Sequence, residues 1–117
     1  MSIQISEGVS KVIVREGSGN TPAAGSKIVV QCTGSLNTNP PKKFWSTTDA
    51  GQKPFSFNVG LGQVIKGWDE GCMTMKLGEV AKITIAGHKG YGANGFPAWG
   101  ITPNAELLFE IEILSIN

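Results

Sequence analysis

The side chains that could perform conventional acid–base or nucleophilic chemistry are few in this sequence. The single histidine, His88, lies in the small, polar segment AGHKG, and two carboxylates, Asp69 and Glu70, are adjacent. A nucleophile needs a base, and the base needs an orienting partner, so we expect His88 at the surface. Adjacent residues on a helix point in different directions. Asp69 and Glu70 are therefore not an acid–base pair, and near a helix start their charge favours the macrodipole.

The two cysteines, Cys32 and Cys72, are expected to be reduced thiols that pack as small hydrophobic side chains. A zinc site needs about four ligands, and these thiols with His88 are too few. The sequence therefore predicts neither a metal site nor a cofactor.

A glycine-rich segment, NVGLGQVIKGW at residues 58–68, resembles a phosphate-binding loop at first sight. A Walker loop requires Gly-Lys-Ser/Thr, but here the lysine precedes the glycine and no hydroxyl residue follows. The dinucleotide fingerprint and its parallel strands are also missing. We expect Gly60 and Gly62 to turn the chain with positive φ, and Gly67 to leave room beside Trp68 for a helix to pack.

The nine aromatic residues have an unusual distribution, since none precedes Phe44. Three of them lie in GYGANGFPAWGITP, a loop-forming segment that must cross the surface. Aromatic side chains in such a loop indicate either the rim of an apolar pocket or a loop that packs on itself.

The elements that would position these residues are short, because 16 glycines and 6 prolines interrupt the chain. Apolar–polar alternation and β-branched residues predict strands, and one helix is predicted over residues 64–75. In the last strand, Leu107, Phe109, Ile111 and Ile113 share one face. The fold class predicted is α+β, an antiparallel sheet of five or six strands packed on one helix. The predicted strands are 12–15, 27–34, 44–48, 55–59, 80–86 and 106–116.

Size and charge limit the functional classes. A chain of 117 residues with a net charge of +1 suits one domain, and lacks the basic excess of a nucleic-acid binder. The longest apolar runs are far below the 18 or so residues of a membrane span, and the first residues do not resemble a signal peptide. We expect a cytoplasmic monomer with no membrane or nucleic-acid partner.

Six segments together resemble the FKBP family of peptidyl-prolyl cis–trans isomerases in order and spacing. The resemblance covers about residues 8–116 of a single domain, 1–117, and its most specific parts are the segments around Trp68 and Tyr91. The segments are TGSL, KKF, KPFSFNVGLGQVIKGWDEG, MKLGEVAKITI, GYGANGFP and ELLFEIEIL.

The resemblance implies a curved sheet around a short helix, with a pocket between them for prolyl peptides and rapamycin-type macrolides. Trp68 would form the floor, the Tyr91 hydroxyl would donate to a ligand carbonyl, and the backbone at Gln63 and Ile65 would bond the ligand. Ile101 would match an aliphatic residue before the last strand. The lining residues implied are Phe44, Phe55, Val64, Ile65, Tyr91 and Phe109.

Three residues depart from the family pattern. Cys32 replaces a tyrosine, Trp45 an aspartate, and Phe96 a histidine. The tyrosine and aspartate form a polar corner in the family, and we hypothesise that the Trp45 ring fills the space of the lost tyrosine ring. The alternatives are therefore a working isomerase with altered or reduced activity, and a nearly inactive module that binds a protein partner. An RNA-binding β-domain fits the charge poorly.

Overall fold

The computed structural model describes residues 2–38 and 40–117, in which seven strands and one α-helix alternate with loops. Three single-turn 3₁₀ helices lie between the last two strands. The strands are β1 Ser2–Ser6, β2 Val9–Arg15, β3 Lys27–Leu36, β4 Lys42–Ser46, β5 Phe55–Asn58, β6 Val80–Ile85 and β7 Leu107–Ile116, and the helix is α1 Lys66–Cys72.

All seven strands belong to one antiparallel sheet in the order β1-β2-β6-β7-β3-β4. β5 pairs with residues 27–30 of β3, and β4 pairs with residues 33–36 farther along that strand. The predicted fold class is confirmed, with one strand more than expected. The additional strand is β1, a five-residue strand at the edge of the sheet, whose sequence SIQIS alternates polar and apolar residues.

The core lies on one face of this sheet, against α1. The four apolar residues predicted to share a face of β7 are all buried, at 2% exposure or less, which confirms the alternation. Gly67 permits the close approach of the helix, because a Cβ there would lie 2.5 Å from the Ile85 side chain. The role predicted for Gly67 is therefore confirmed.

The helix is shorter than predicted, since it begins at Lys66 rather than at residue 64 and ends at Cys72 rather than 75. Ile65 is its N-cap, with an extended backbone at φ −60° and ψ 152°. Its carbonyl accepts from the backbone N–H groups of Trp68 and Asp69, at 3.0 and 3.2 Å. Val64 thus lies in a bend before the helix, and Ile65 joins it to α1 with an extended backbone.

A buried ion pair joins the second strand to the turn that precedes β6. The ammonium group of Lys11 lies 2.7 Å from a carboxylate oxygen of Glu79, and both side chains are almost fully buried. Lys11 also donates to the carbonyl of Thr74, at 2.8 Å, and Glu79 accepts from the backbone N–H of Lys76, at 3.1 Å. The pair therefore fixes the chain that leaves α1.

The loop between β6 and β7 is held by backbone bonds rather than by a sheet. Phe96 and Ile101 exchange two N–H···O bonds of 2.9 and 3.1 Å, and Asn104 donates to the Gly92 carbonyl at 2.8 Å. Ile101 is buried and anchors the loop. No helix in residues 2–38 and 40–117 is long and apolar enough to cross a membrane.

Candidate active site

A pocket of about 460 Å³ opens between α1, the strands β4 and β5, and the loop that follows β6. Its lining carries six aromatic rings and no charged side chain. The lining residues are Trp45, Phe55, Gly62, Gln63, Val64, Ile65, Trp68, Tyr91, Trp99 and Phe109.

Trp68 forms the floor of the pocket, as the resemblance implied. The helix turns its indole toward the sheet, and only 3% of the residue stays exposed. The ring packs edge-on against Phe109 and Phe55, with centroids 5.3 and 5.8 Å away, and tilted against Phe57 at 5.6 Å. Such edge-to-face pairs hold the floor in one orientation.

Trp45 and Trp99 form an aromatic wall of the pocket. Their rings stack with centroids 5.8 Å apart and an interplanar angle of 26°. Trp45 also packs edge-on against Phe55, and Phe44 stacks on Trp99 from outside the pocket. Because Trp99 lies in the loop between β6 and β7 and Trp45 lies in β4, this stacked pair connects that loop to the sheet.

Tyr91 supplies the phenol hydroxyl of the pocket. Its ring stacks on Phe96, with centroids 5.6 Å apart, and Phe96 packs edge-on against Trp99. Partial burial raises the pKa of Tyr91 above its ordinary value of 10. The phenol therefore stays protonated at neutral pH and remains a hydrogen-bond donor.

The segment 62–65 forms the wall opposite the loop. The Gln63 side-chain oxygen accepts from the backbone N–H of Asn58, at 2.9 Å. Gly60 and Gly62 have φ of 82° and 76°, which confirms the tight turn predicted there. The segment thus leaves β5 by a glycine turn and continues through bends to Ile65, which is extended and caps α1.

The structure brings eight of the predicted site residues together in this pocket. Four others lie outside the lining: Cys32, Phe44, Phe96 and Ile101. Phe44 stacks on the lining residue Trp99, and Phe96 packs edge-on against it. Ile101 is buried beneath the loop. The catalytic and binding roles assigned to all twelve residues remain predictions.

Two lining residues, Trp99 and Gly62, were absent from the predicted set. Trp99 belongs to the aromatic loop whose composition had already indicated a pocket rim, so its signal was in the sequence. Gly62 lines the pocket through its backbone alone, and no side-chain argument identifies such a residue.

Cys32 is buried in the core, on the same face of β3 as Ile28 and Val30, and does not reach the pocket lining. Its backbone is tied to Thr47, whose hydroxyl accepts from the Cys32 N–H and whose N–H donates to the Cys32 carbonyl, each at 2.9 Å. Burial raises the pKa of the Cys32 thiol to about 12. Cys32 and Cys72 are both free thiols, as expected.

His88 is exposed, as predicted, and its Nε2 lies 3.2 Å from a carboxylate oxygen of Glu7. Within the described residues, no three histidine, cysteine or acidic side chains cluster as metal ligands. The pocket itself offers apolar aromatic surface and one phenol donor.

Comparison with known proteins shows the family to which this chain belongs. The model of the FKBP-type peptidyl-prolyl cis–trans isomerases matches residues 18–114. The peptidyl-prolyl cis–trans isomerase FKBP12 of Arabidopsis thaliana is 54% identical over 94% of this chain and 99% of its own length. That of Vicia faba is 55% identical, over 92% and 96%.

Relatives of lower sequence identity belong to the same family. FK506-binding protein 1 of Dictyostelium discoideum is 49% identical over 94% of this chain and 99% of its own. The solved N-terminal domain of FKBP42 from Arabidopsis thaliana superposes with a TM-score of 0.91 at 28% identity, covering 100% of this chain and 92% of that one. The chain belongs to the FKBP-type peptidyl-prolyl cis–trans isomerases, and its activity is the rotation of X–Pro peptide bonds.

Proposed function

We propose that X–Pro rotation takes place in the aromatic pocket above Trp68, with the proline ring against the indole. The observation that carries this proposal is the lining: six aromatic rings and no charged side chain around about 460 Å³. Proline and its two flanking amides are apolar enough to enter such a space.

The physical basis is the barrier of about 18–20 kcal/mol that amide resonance imposes on rotation. The planar amide separates charge between oxygen and nitrogen, whereas the twisted transition state has lost resonance and separates less. An apolar, water-poor pocket therefore disfavours the planar form relative to the twisted one. No nucleophile is required, because no bond to proline breaks.

We assign the polar contacts to three groups. The Tyr91 hydroxyl, protonated because its pKa is raised, donates to a carbonyl of the bound peptide. The backbone at Gln63 and Ile65 bonds the peptide along the segment that lines the pocket before α1. Phe55, Val64 and Phe109 enclose the proline ring, and Trp45 with Trp99 excludes water from the other side.

The test is catalysis of isomerisation in a short X–Pro peptide, measured by NMR exchange between the cis and trans signals. We expect the wild-type protein to accelerate exchange at micromolar concentration. We expect Tyr91→Phe, which keeps the ring and removes the donor, to reduce kcat/KM about tenfold, or about 1.4 kcal/mol. A wild-type rate equal to the spontaneous one would contradict catalysis and leave a binding module.

Macrolide binding is a second part of the proposal. The relative from Dictyostelium discoideum is named an FK506-binding protein, and this pocket is an apolar site of the size that drug-like ligands fill. We expect FK506 or rapamycin to compete with the peptide. Inhibition that persists unchanged in Trp99→Ala and Tyr91→Phe would place the macrolide elsewhere.

We further propose that the protein acts as a single-domain monomer on folding chains in the cytoplasm. The two free, buried cysteines suit a reducing compartment, and slow X–Pro isomerisation limits the folding of many chains. Sedimentation would test the monomer. Acceleration of the slow refolding phase of a proline-limited protein would test the folding role.

A further inference from the structure

The two adjacent carboxylates that follow Trp68 have no part in the proposed chemistry, yet both accept hydrogen bonds from groups outside the helix. One Asp69 oxygen accepts from the Gly60 N–H and the other from the Gly62 N–H, both at 2.9 Å. Asp69 thereby binds both ends of the glycine turn that leads into the pocket wall.

Glu70 reaches in the other direction. It accepts from the Ser6 hydroxyl at 2.5 Å, and both its oxygens lie 2.9 Å from the Lys89 ammonium. The Glu70 pKa is lowered by these two hydrogen bonds. Lys89 ends the 3₁₀ turn Gly87–Lys89, two residues before Tyr91. Glu70 therefore holds the loop that carries the phenol donor.

We propose that Asp69 and Glu70 are positioning residues of the isomerase, which tie opposite walls of the pocket to the helix that bears its floor. The inference rests on the proposed location of catalysis. The helix has only seven residues, so few of its side chains can fix the positions of the neighbouring loops. Asp69 fixes the glycine turn, and Glu70 fixes the loop that carries Tyr91.

The reason that this matters is the freedom of the segments concerned. Glycine loses more backbone entropy on ordering than any other residue, so a turn containing Gly60 and Gly62 is ordered only at a cost. The Asp69 hydrogen bonds order this turn before the peptide binds. If the turn were displaced, the segment that lines the pocket would be displaced with it, and both binding and catalysis would be weaker. Asp69 acts on binding, and Glu70 acts on the position of the Tyr91 hydroxyl.

The first test uses Asp69→Asn, which retains one acceptor oxygen, with Asp69→Glu as the conservative variant. We expect KM to rise about threefold to tenfold with kcat within twofold, because one charge-assisted bond is lost. In the same samples, amide exchange at Gly60 and Gly62 should accelerate. Asp69→Glu should recover at least part of both effects.

The second test uses Lys89→Met, with Lys89→Arg as the rescue variant, since a guanidinium can also bond both Glu70 oxygens. We expect Lys89→Met to lower kcat about threefold to tenfold. Glu70→Gln combined with Lys89→Met should be no worse than Lys89→Met alone, as for residues that act through one pair.

The control for the loss of charge is Glu110→Gln, because Glu110 is an exposed carboxylate on β7 away from the pocket. Asp69→Asn and Lys89→Met variants that fold and match Glu110→Gln within twofold in both kcat and KM would overturn the inference. Unchanged exchange at Gly60 and Gly62 in Asp69→Asn would also overturn it. An inactive wild-type protein would instead contradict the proposed catalysis, while the exchange measurement still reports on the Asp69 bonds.

Discussion

Trp45 determines the chemical character of one side of the pocket. Its indole stacks on Trp99 and packs against Phe55, so that side offers ring faces and no carboxylate. The resemblance places an aspartate at this position in the family, and a carboxylate there would be hydrated. Under the proposed function, the pocket relies at this side on exclusion of water more than on side-chain polarity.

Replacing Trp45 by alanine tests this reliance. We expect Trp45→Ala to reduce kcat/KM about tenfold, a loss of about 1.4 kcal/mol of transition-state stabilisation, because water enters beside Trp99. The peptide exchange assay measures it, with Leu114→Ala, a truncation of a partly exposed residue on β7, as the control. Higher activity in Trp45→Ala would show that the indole obstructs the peptide.

The pH dependence of activity follows from the titrating groups near the pocket. Tyr91 is the titratable side chain of the lining, and partial burial raises its pKa above 10. A raised pKa keeps the neutral form up to higher pH, so the Tyr91 donor is retained throughout the neutral range and is lost only in strong alkali.

We therefore expect kcat/KM to be constant between about pH 6 and pH 9, since Tyr91 remains a donor in that range. Isomerisation rates across this range provide the measurement. Tyr91→Phe should be slower and equally independent of pH. A clear step near neutrality would point to another titrating group in catalysis.

The site residues were predictable where they belong to a specific sequence motif. They were less predictable where their place in the pocket depends on how the whole chain folds. Trp68 and Tyr91 were identified from motifs, and the structure places both in the pocket. Cys32 was included by position, yet its short side chain is buried in the core and does not reach the pocket lining. The hypothesis that Trp45 occupies the space of a lost tyrosine stays a prediction.

At the scale of the elements, the approach of α1 to β6 depends on the absence of a side chain at Gly67. Any Cβ there would lie within 2.6 Å of three carbon atoms of Ile85. The sequence predicted that Gly67 leaves room for the helix to pack on the sheet, but not that it faces Ile85. It did not predict the helix ends, since the apolar residues Val64 and Ile65 were counted in the helix, whereas Val64 lies in a bend and Ile65 is the extended N-cap.

Gly67→Ala should therefore destabilise the protein by about 1–3 kcal/mol through overpacking. Shortening the opposing side chain should relieve part of the strain, so Gly67→Ala with Ile85→Val should lose less than the sum of the single changes. Urea unfolding measures both. Strict additivity would indicate that the helix moves away without strain.

The Lys11–Glu79 pair acts between elements, from β2 to the turn before β6. Both charges are buried, so removing one partner leaves the other without compensation. We expect Lys11→Met to cost about 3–5 kcal/mol of unfolding free energy. Lys11→Met with Glu79→Leu should cost less than Lys11→Met alone, measured by chemical denaturation. Equal losses would show that the remaining carboxylate finds another partner.

At the scale of the whole molecule, the family architecture could be predicted because its motifs span the chain, whereas the first strand could not. β1 pairs only with β2 at the sheet edge, through the register from Ser2↔Val12 to Ser6↔Val9. Its sequence, SIQIS, alternates polar and apolar residues, but five residues are too few to distinguish a paired strand from an exposed end of the chain. Its link to the pocket, through Ser6 and Glu70, appears only in three dimensions.

The strand β7 occupies the middle of the sheet, between β6 and β3, although it is the last strand in the chain. Its residue Ile116 pairs with Ile28, and Leu107 with both Leu36 and Ile85. During synthesis, the inner edges of β3 and β6 therefore stay without their partner until residues 107–116 have emerged from the ribosome. An unfinished chain exposes two open strand edges that can pair with other chains. Its release before residue 116 would favour aggregation, and the completed chain must close contacts between distant residues, which slows folding.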